Sequence, residues 1–174
     1  MSFEQFVGQE LEWVQPRAMR RAFHLIADGE NVASLQFESG SRATGECAGG
    51  KWTFQRTGFL APKITVREAG SDLDLAVFTP MWMGGGTVAF AAAQRYQFRP
   101  DNFWRTEWVF ETEDGKVLTT ISGRPHLFKM GGVATVAQSA ALLPETPVLL
   151  LLTWYVRVLM NADAEAAATM AAVS

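Results

Sequence analysis

Cations offer the clearest chemistry in this sequence. Lys51, Lys63, Arg67, Arg95, Arg99 and Arg105 lie in or beside runs where polar and apolar residues alternate, such as Lys51-Trp52-Thr53-Phe54-Gln55 and Arg95-Tyr96-Gln97-Phe98-Arg99. Successive side chains of a strand point to opposite faces, so the alternation puts all six on the outward side. On neighbouring strands they would form a positive patch able to meet phosphate headgroups through charge-assisted hydrogen bonds. Arg17, Arg20 and Arg21, beside Pro16, would add to it. Outward charge also serves the plainer purpose of keeping a strand face in water.

Other candidate chemistry is thinner. Gly45-Glu46-Cys47-Ala48-Gly49-Gly50-Lys51-Trp52 departs from a phosphate-binding loop at one residue, with Trp where a magnesium-binding hydroxyl belongs. That loop must open a helix, and here a strand pattern follows, so the segment reads as a Gly-rich hairpin connection. His24 and His126 are the two histidines, without metal-ligand spacing. His24 is out of phase with Phe23 and Leu25 and reads as a surface imidazole. Cys47 is the single cysteine, so no internal disulfide is possible and nothing local activates its thiol. Glu107, Glu111, Glu113 and Asp114 gather around one strand and its turn, with Glu107 and Glu111 on the face of Arg105. Paired carboxylates can hydrolyse glycosides, but a solvated strand face beside an Asp-Gly turn accounts for these. An enzymatic alternative places a small-molecule site at a barrel mouth, built from His126, Arg124 and a nearby carboxylate.

The whole chain sets bounds on these readings. It has 174 residues, 48% of them hydrophobic and 19% charged, with a formal net charge of −3. That length suits a single domain with a real core, expected to span residues 1–174. The low charge excludes disorder, and the mild acidity argues against a dedicated nucleic-acid binder. The opening MSFEQFVGQE has two acids and no apolar stretch, so no secretory signal is expected.

The elements that would position the cations are short strands. From about residue 10 to residue 140, alternating runs are punctuated by turn residues. Further runs are Lys63-Ile64-Thr65-Val66-Arg67 and Asp72-Leu73-Asp74-Leu75-Ala76-Val77-Phe78. Asp28-Gly29 and Asp114-Gly115 supply hairpin signals, and Ala69-Gly70-Ser71-Asp72 and Gly84-Gly85-Gly86 mark further turns. The spacing predicts about ten to twelve antiparallel strands in a sandwich or barrel. Trp52, Phe54, Trp104 and Trp108 fall on the predicted inner faces. Met81-Trp82-Met83 lies in a loop, as an exposed apolar tip or, by a slight preference, a lid over one end.

Near Pro144 the pattern changes. Thr146 reads as an N-cap with Pro147 at the first helical position, and VLLLLTWYVRVLM follows from Val148 to Met160. A helix apolar all round must be buried in protein or in membrane. A spanning helix needs about 20 apolar residues; this run is shorter, contains Arg157, and leads to Asp163 and Glu165. A core helix over about 147–161 with an Ala-rich tail over 162–174 is therefore expected, and no transmembrane span.

The order of these features resembles the tubby C-terminal-like superfamily, which includes LURP-one-related proteins and phospholipid scramblases. The likeness is carried by Gly50-Lys51-Trp52-Thr53-Phe54, Leu75-Ala76-Val77-Phe78, Arg95 to Arg99, Asn102-Phe103-Trp104-Arg105 and Pro147 to Met160. It implies a mostly β fold, an antiparallel barrel of about 10–12 strands around a buried hydrophobic C-terminal helix. It also implies lipids as ligands, since tubby domains bind phosphoinositide headgroups through basic side chains. Scramblases carry an acidic calcium site ahead of the helix; residues 140–146 here hold only Glu145, too few oxygens for calcium.

The expected function is thus a non-enzymatic binding or structural module for an anionic lipid headgroup or a protein partner, cytoplasmic and peripheral to the membrane, with no cofactor. The alternatives are the small-molecule enzyme and a membrane-associated scramblase-like protein. A barrel filled by its own helix should leave no cavity for a substrate, which favours the binding module.

Overall fold

A computed structural model of the chain describes residues 3–82, 84–124 and 129–173. Met83 and His126, both singled out above, lie outside the described residues. Twelve strands follow in chain order: β1 (Glu10–Val14), β2 (Ala22–Ala27), β3 (Glu30–Ser39), β4 (Arg42–Cys47), β5 (Gly50–Thr57), β6 (Lys63–Glu68), β7 (Ala76–Pro80), β8 (Gly86–Phe90), β9 (Arg95–Pro100), β10 (Glu107–Thr112), β11 (Val117–Arg124) and β12 (Gly131–Val136). Each pairs antiparallel with the next, and β1 pairs with β12 through Glu10↔Thr135 to Trp13↔Gly132. Closure removes both free sheet edges.

The alternating runs become strands as expected, with Leu11, Trp13, Phe23, Leu25, Trp52, Phe54, Ile64 and Val66 turned inward. The fourth run is shorter than expected. The strand β7 begins only at Ala76, and Asp72 to Asp74 form a loop with Leu73 exposed.

A twelve-stranded wall encloses enough width for a helix of roughly 10–12 Å diameter. Helix α1 (Thr146–Val173) occupies it, and from Val148 to Leu159 every residue except Arg157 is buried. Ringed by sheet, it needs no polar face. No helix among the described residues is long and apolar enough to cross a membrane. The helix start departs from expectation. Thr146 is itself the first helical residue, and its hydroxyl donates to the Ala140 carbonyl at 2.6 Å instead of accepting from the helix N–H groups. It ties the helix to the preceding turn.

Tyr155 is fully buried and stacks between Phe37 and Phe54, with ring centroids 5.4 Å away in both cases. Its hydroxyl donates to the Ser41 carbonyl at 2.5 Å. Burial pushes its pKa up to about 12, and burial likewise raises that of Tyr96. An unfolded tyrosine ionises near 10, so the unfolded state loses its proton first. Stability should therefore be fully present below pH 10 and fall as pH rises through about 12, by roughly 2–3 kcal/mol for Tyr155. Tyrosinate absorbance and urea unfolding across this range test it. Tyr155→Phe should flatten most of the slope, and ionisation of both tyrosines near pH 10 would contradict the packing.

Candidate anion-binding site

In an antiparallel meander, alternate connections share an end. The links β1–β2, β3–β4, β5–β6, β7–β8, β9–β10 and β11–β12 lie at one end, where α1 emerges; the helix begins at the other. The exit is pinned by Arg56 at the end of β5, whose guanidinium donates to both oxygens of Asp163 at 2.6 and 3.1 Å.

Beside the emerging helix, the described residues do not fill the mouth. A cavity of about 820 Å³ opens between α1 and the ends of β1, β2, β10, β11 and β12, lined by Arg21, Arg105, Arg124, Lys129 and Arg157 against one carboxylate, Glu165. This corrects the expectation that the core helix leaves no room. Two glycines leave room for the helix beside this cavity. Gly123 and Gly132 are register partners on β11 and β12, and a Cβ on Gly132 would stand 2.8 Å from the Trp154 ring. A Cβ on Gly123 would come within 3.3 Å of the Arg157 guanidinium.

Among the described residues, all of these cations except Arg124 lack a carboxylate partner. Among the described residues Arg157 has no ion-pair partner; its guanidinium lies 5.7 Å from the centre of the Trp108 ring, and burial pushes its pKa down. Arg21 donates to the Gly40 carbonyl at 2.8 Å and lies over Phe37, and burial, aided by the neighbouring Arg56 charge, lowers its pKa too. Lys129 donates to the Pro16 carbonyl at 3.2 Å. Arg124 has carboxylates, Glu10 and Glu12, each at 3.5 Å. Glu165 accepts from Asn161 at 2.7 Å. The Arg157 guanidinium is substantially desolvated, and an anion beside it would offset that cost.

Two polar side chains shape the rim. Gln15 donates to the carbonyls of Ala18 and Arg20 and accepts from the Met130 N–H at 2.8 Å, holding the Arg17–Arg21 loop against the start of β12. Asn102 accepts from the Thr106 N–H at 3.0 Å and donates to its hydroxyl, folding residues 101–106 into a tight loop with Arg105 at φ +54°. Trp108 Nε1 donates to the Arg105 carbonyl at 3.0 Å and locks this loop down. Across α1 lies a smaller apolar cavity of about 190 Å³ near Phe78, Met81, Val156 and Leu159.

The six cations singled out in the sequence are divided between the two ends. Lys51, Arg67 and Arg95 stand toward the end where α1 begins; Lys63, Arg99 and Arg105 stand toward the mouth. Three have carboxylate partners: Lys51 with Glu46 at 3.3 Å, Arg67 with Asp74 at 2.6 Å, and Arg99 with Glu111 and Asp101 at 2.8 and 2.9 Å. Only Arg105 lines the cavity. Arg124, named for the enzymatic alternative, lines it too. Arg157 and Lys129 were missed as ligands; a lone arginine within an apolar helix was the available signal for the first.

Other expectations need correction. Glu111 is not on a solvated face: it is buried beneath the bidentate Arg99, next to a register shift in the β10–β11 pairing. Trp104 does not face inward, because the Asn102 turn ends the strand and throws it into solvent against Phe103. Trp82, expected by slight preference in a lid, is 99% exposed and stands as an apolar tip, while Met81 lines the smaller cavity. The segment around Cys47 closes the β4–β5 hairpin, as read, and burial pushes the thiol's pKa up. His24 sits half-buried on the outer side of β2.

Compared with models of known protein families, with curated proteins and with solved structures, the chain matches none.

Proposed function

We propose that this chain is a non-enzymatic binding module for an anionic, phosphate-bearing group, held in the cavity at the barrel mouth. The observation that carries this reading is the set of cations there without carboxylate partners among the described residues, Arg21, Arg105, Lys129 and Arg157. The volume suits a small ligand. The outward strand cations are a poorer choice, since Lys51, Arg67 and Arg99 are already engaged by acids. A closed antiparallel barrel threaded by its last helix is compatible with the tubby C-terminal-like superfamily, and kinship with it, with a cytoplasmic location at the membrane periphery, forms part of the proposal.

Calorimetric titration with inositol trisphosphate at low salt tests it. Wild type should bind, more weakly as salt rises. A charge-assisted hydrogen bond is worth about 1.5–3 kcal/mol, so Arg105→Met with Arg157→Met should lower affinity by about tenfold or more. Lys51→Met with Arg67→Met should leave it unchanged. Loss of binding in that second variant alone would move the site to the strands, and no binding by wild type would sink the proposal.

A further inference from the structure

The mouth end carries more than the cavity. Met19, Phe59, Leu60, Trp82, Phe103 and Trp104 are each between 80% and 99% exposed. They stand in four separate connections, β1–β2, β5–β6, β7–β8 and β9–β10, and every one of these lies at the mouth. The opposite end exposes only Leu73 and Leu142 among the described large apolar side chains. Packing inside the barrel does not explain six bulky side chains held in water on one rim, and such a patch marks an interaction face.

Charge is segregated along the same axis. Around the rim Arg17, Arg20, Arg21, Lys63, Arg105 and Lys129 have no carboxylate partner among the described residues, although the chain as a whole is at −3. The connections at the far end instead bear Asp28, Asp72, Asp74, Glu113 and Asp114 against one cation, Lys116, and of the strand cations there, Lys51 and Arg67 are paired with acids. The molecule is therefore positive and apolar at one end and acidic at the other. Beyond the rim, residues 166–172 of α1 are exposed and uncharged.

We propose that the mouth end docks on an anionic lipid bilayer, with the aromatic tips seated among the headgroups and one lipid phosphate held in the cavity. The proposal rests on the cavity being an anion site and adds that the anion is presented by a membrane. A bilayer is the partner that asks for both features at once. Trp and Phe partition into the interfacial layer, where their rings displace water without losing hydrogen bonds. Lys and Arg are drawn to the negative surface potential of anionic lipid. Tips on four connections around one rim, with the uncharged helix end that leaves the same mouth, offer a flat surface several apolar contacts.

The protein supplies its own reporter. Of its six tryptophans, Trp13, Trp52, Trp108 and Trp154 are buried, whereas Trp82 and Trp104 are at the rim. Full-length protein mixed with phosphatidylcholine vesicles containing phosphatidylserine and phosphoinositide should co-sediment and show a blue-shifted emission. Pure phosphatidylcholine should give neither. The triple variant Trp82→Ser, Phe103→Ser, Trp104→Ser changes only exposed side chains. It should bind soluble inositol trisphosphate as wild type does, yet lose about tenfold or more in vesicle affinity. Equal vesicle binding by this variant would overturn the docking face while sparing the anion site. So would wild type that binds inositol trisphosphate but no vesicle, which would point to a protein partner on the rim. Vesicle-independent sedimentation through head-to-tail pairing of the basic and acidic ends, or salt-resistant binding to phosphatidylcholine alone, would also overturn it. Binding to neither probe would remove the anion site itself.

Discussion

Replacing Trp154 with alanine is expected to lower the unfolding free energy by about 3–5 kcal/mol, the range for deleting a fully buried large aromatic side chain. Trp154 lies on the side of α1 that faces β1, β2 and β12. Its ring stacks on Trp13 at 5.3 Å with an interplanar angle of 5°, and it meets Phe23 edge-on at 5.5 Å. None of these neighbours can follow the retreating side chain, because Trp13 and Phe23 belong to the closed wall and the helix is held at both ends. Thr146 ties its start to Ala140, and Arg56 clamps Asp163 at its exit. A cavity therefore stays open. Trp154 is also one turn before Arg157, so the same change should loosen the guanidinium that faces the mouth. Urea unfolding followed by tyrosine and tryptophan signals gives the number. A loss below about 1 kcal/mol would mean that the helix is not packed against this wall.

Gly132→Val should be comparably damaging, with an expected loss of about 3 kcal/mol, at the upper end for overfilling a packed core. The position is not strained; it is full. A Cβ there would lie 2.7 Å from the Ser122 carbonyl oxygen of the neighbouring strand and 2.8 Å from the Trp154 ring. The first obstacle is backbone in a closed sheet, and the second is the helix's largest side chain. The two predictions are coupled, since Trp154→Ala vacates part of the space that valine needs. The double variant should be more stable than the sum of the single losses implies, by about 1 kcal/mol. Strict additivity, measured in the same urea series, would show that Gly132 does not make room for the helix.

Much of the fold was legible because its rules are local. Period-two alternation in β5, β6 and β9 identifies strands and their inner faces, and Asp28-Gly29 and Asp114-Gly115 mark hairpins by the backbone freedom that glycine supplies. The run from Val148 to Met160 is too apolar for a surface helix and too short to span a bilayer, which leaves the interior of a barrel. Where local rules failed, a neighbour had intervened. Trp104 keeps the right spacing for an inward residue, but Asn102 bonds Thr106 and ends the strand before the phase can apply. Glu111 follows the outward phase and is nevertheless covered by Arg99.

The candidate site was much less visible. Alternation reports which face a cation takes and is silent on how far along the strand it stands or which acid meets it. Lys51, Arg67 and Arg99 were thus correctly turned outward, yet they are bound to Glu46, Asp74 and Glu111. The amino-acid sequence by itself determined the strands, their inner faces and the burial of the last helix, because hydrophobic periodicity and turn chemistry act over a few residues. Only the tertiary structure decided which charges remain without an ion-pair partner among the described residues. Strand order and loop parity gather Arg21, Arg105, Lys129 and Arg157 around one mouth from positions far apart in the chain. Coulomb attraction, acting through space, neutralises the cations that have acidic neighbours and leaves these to face the open cavity.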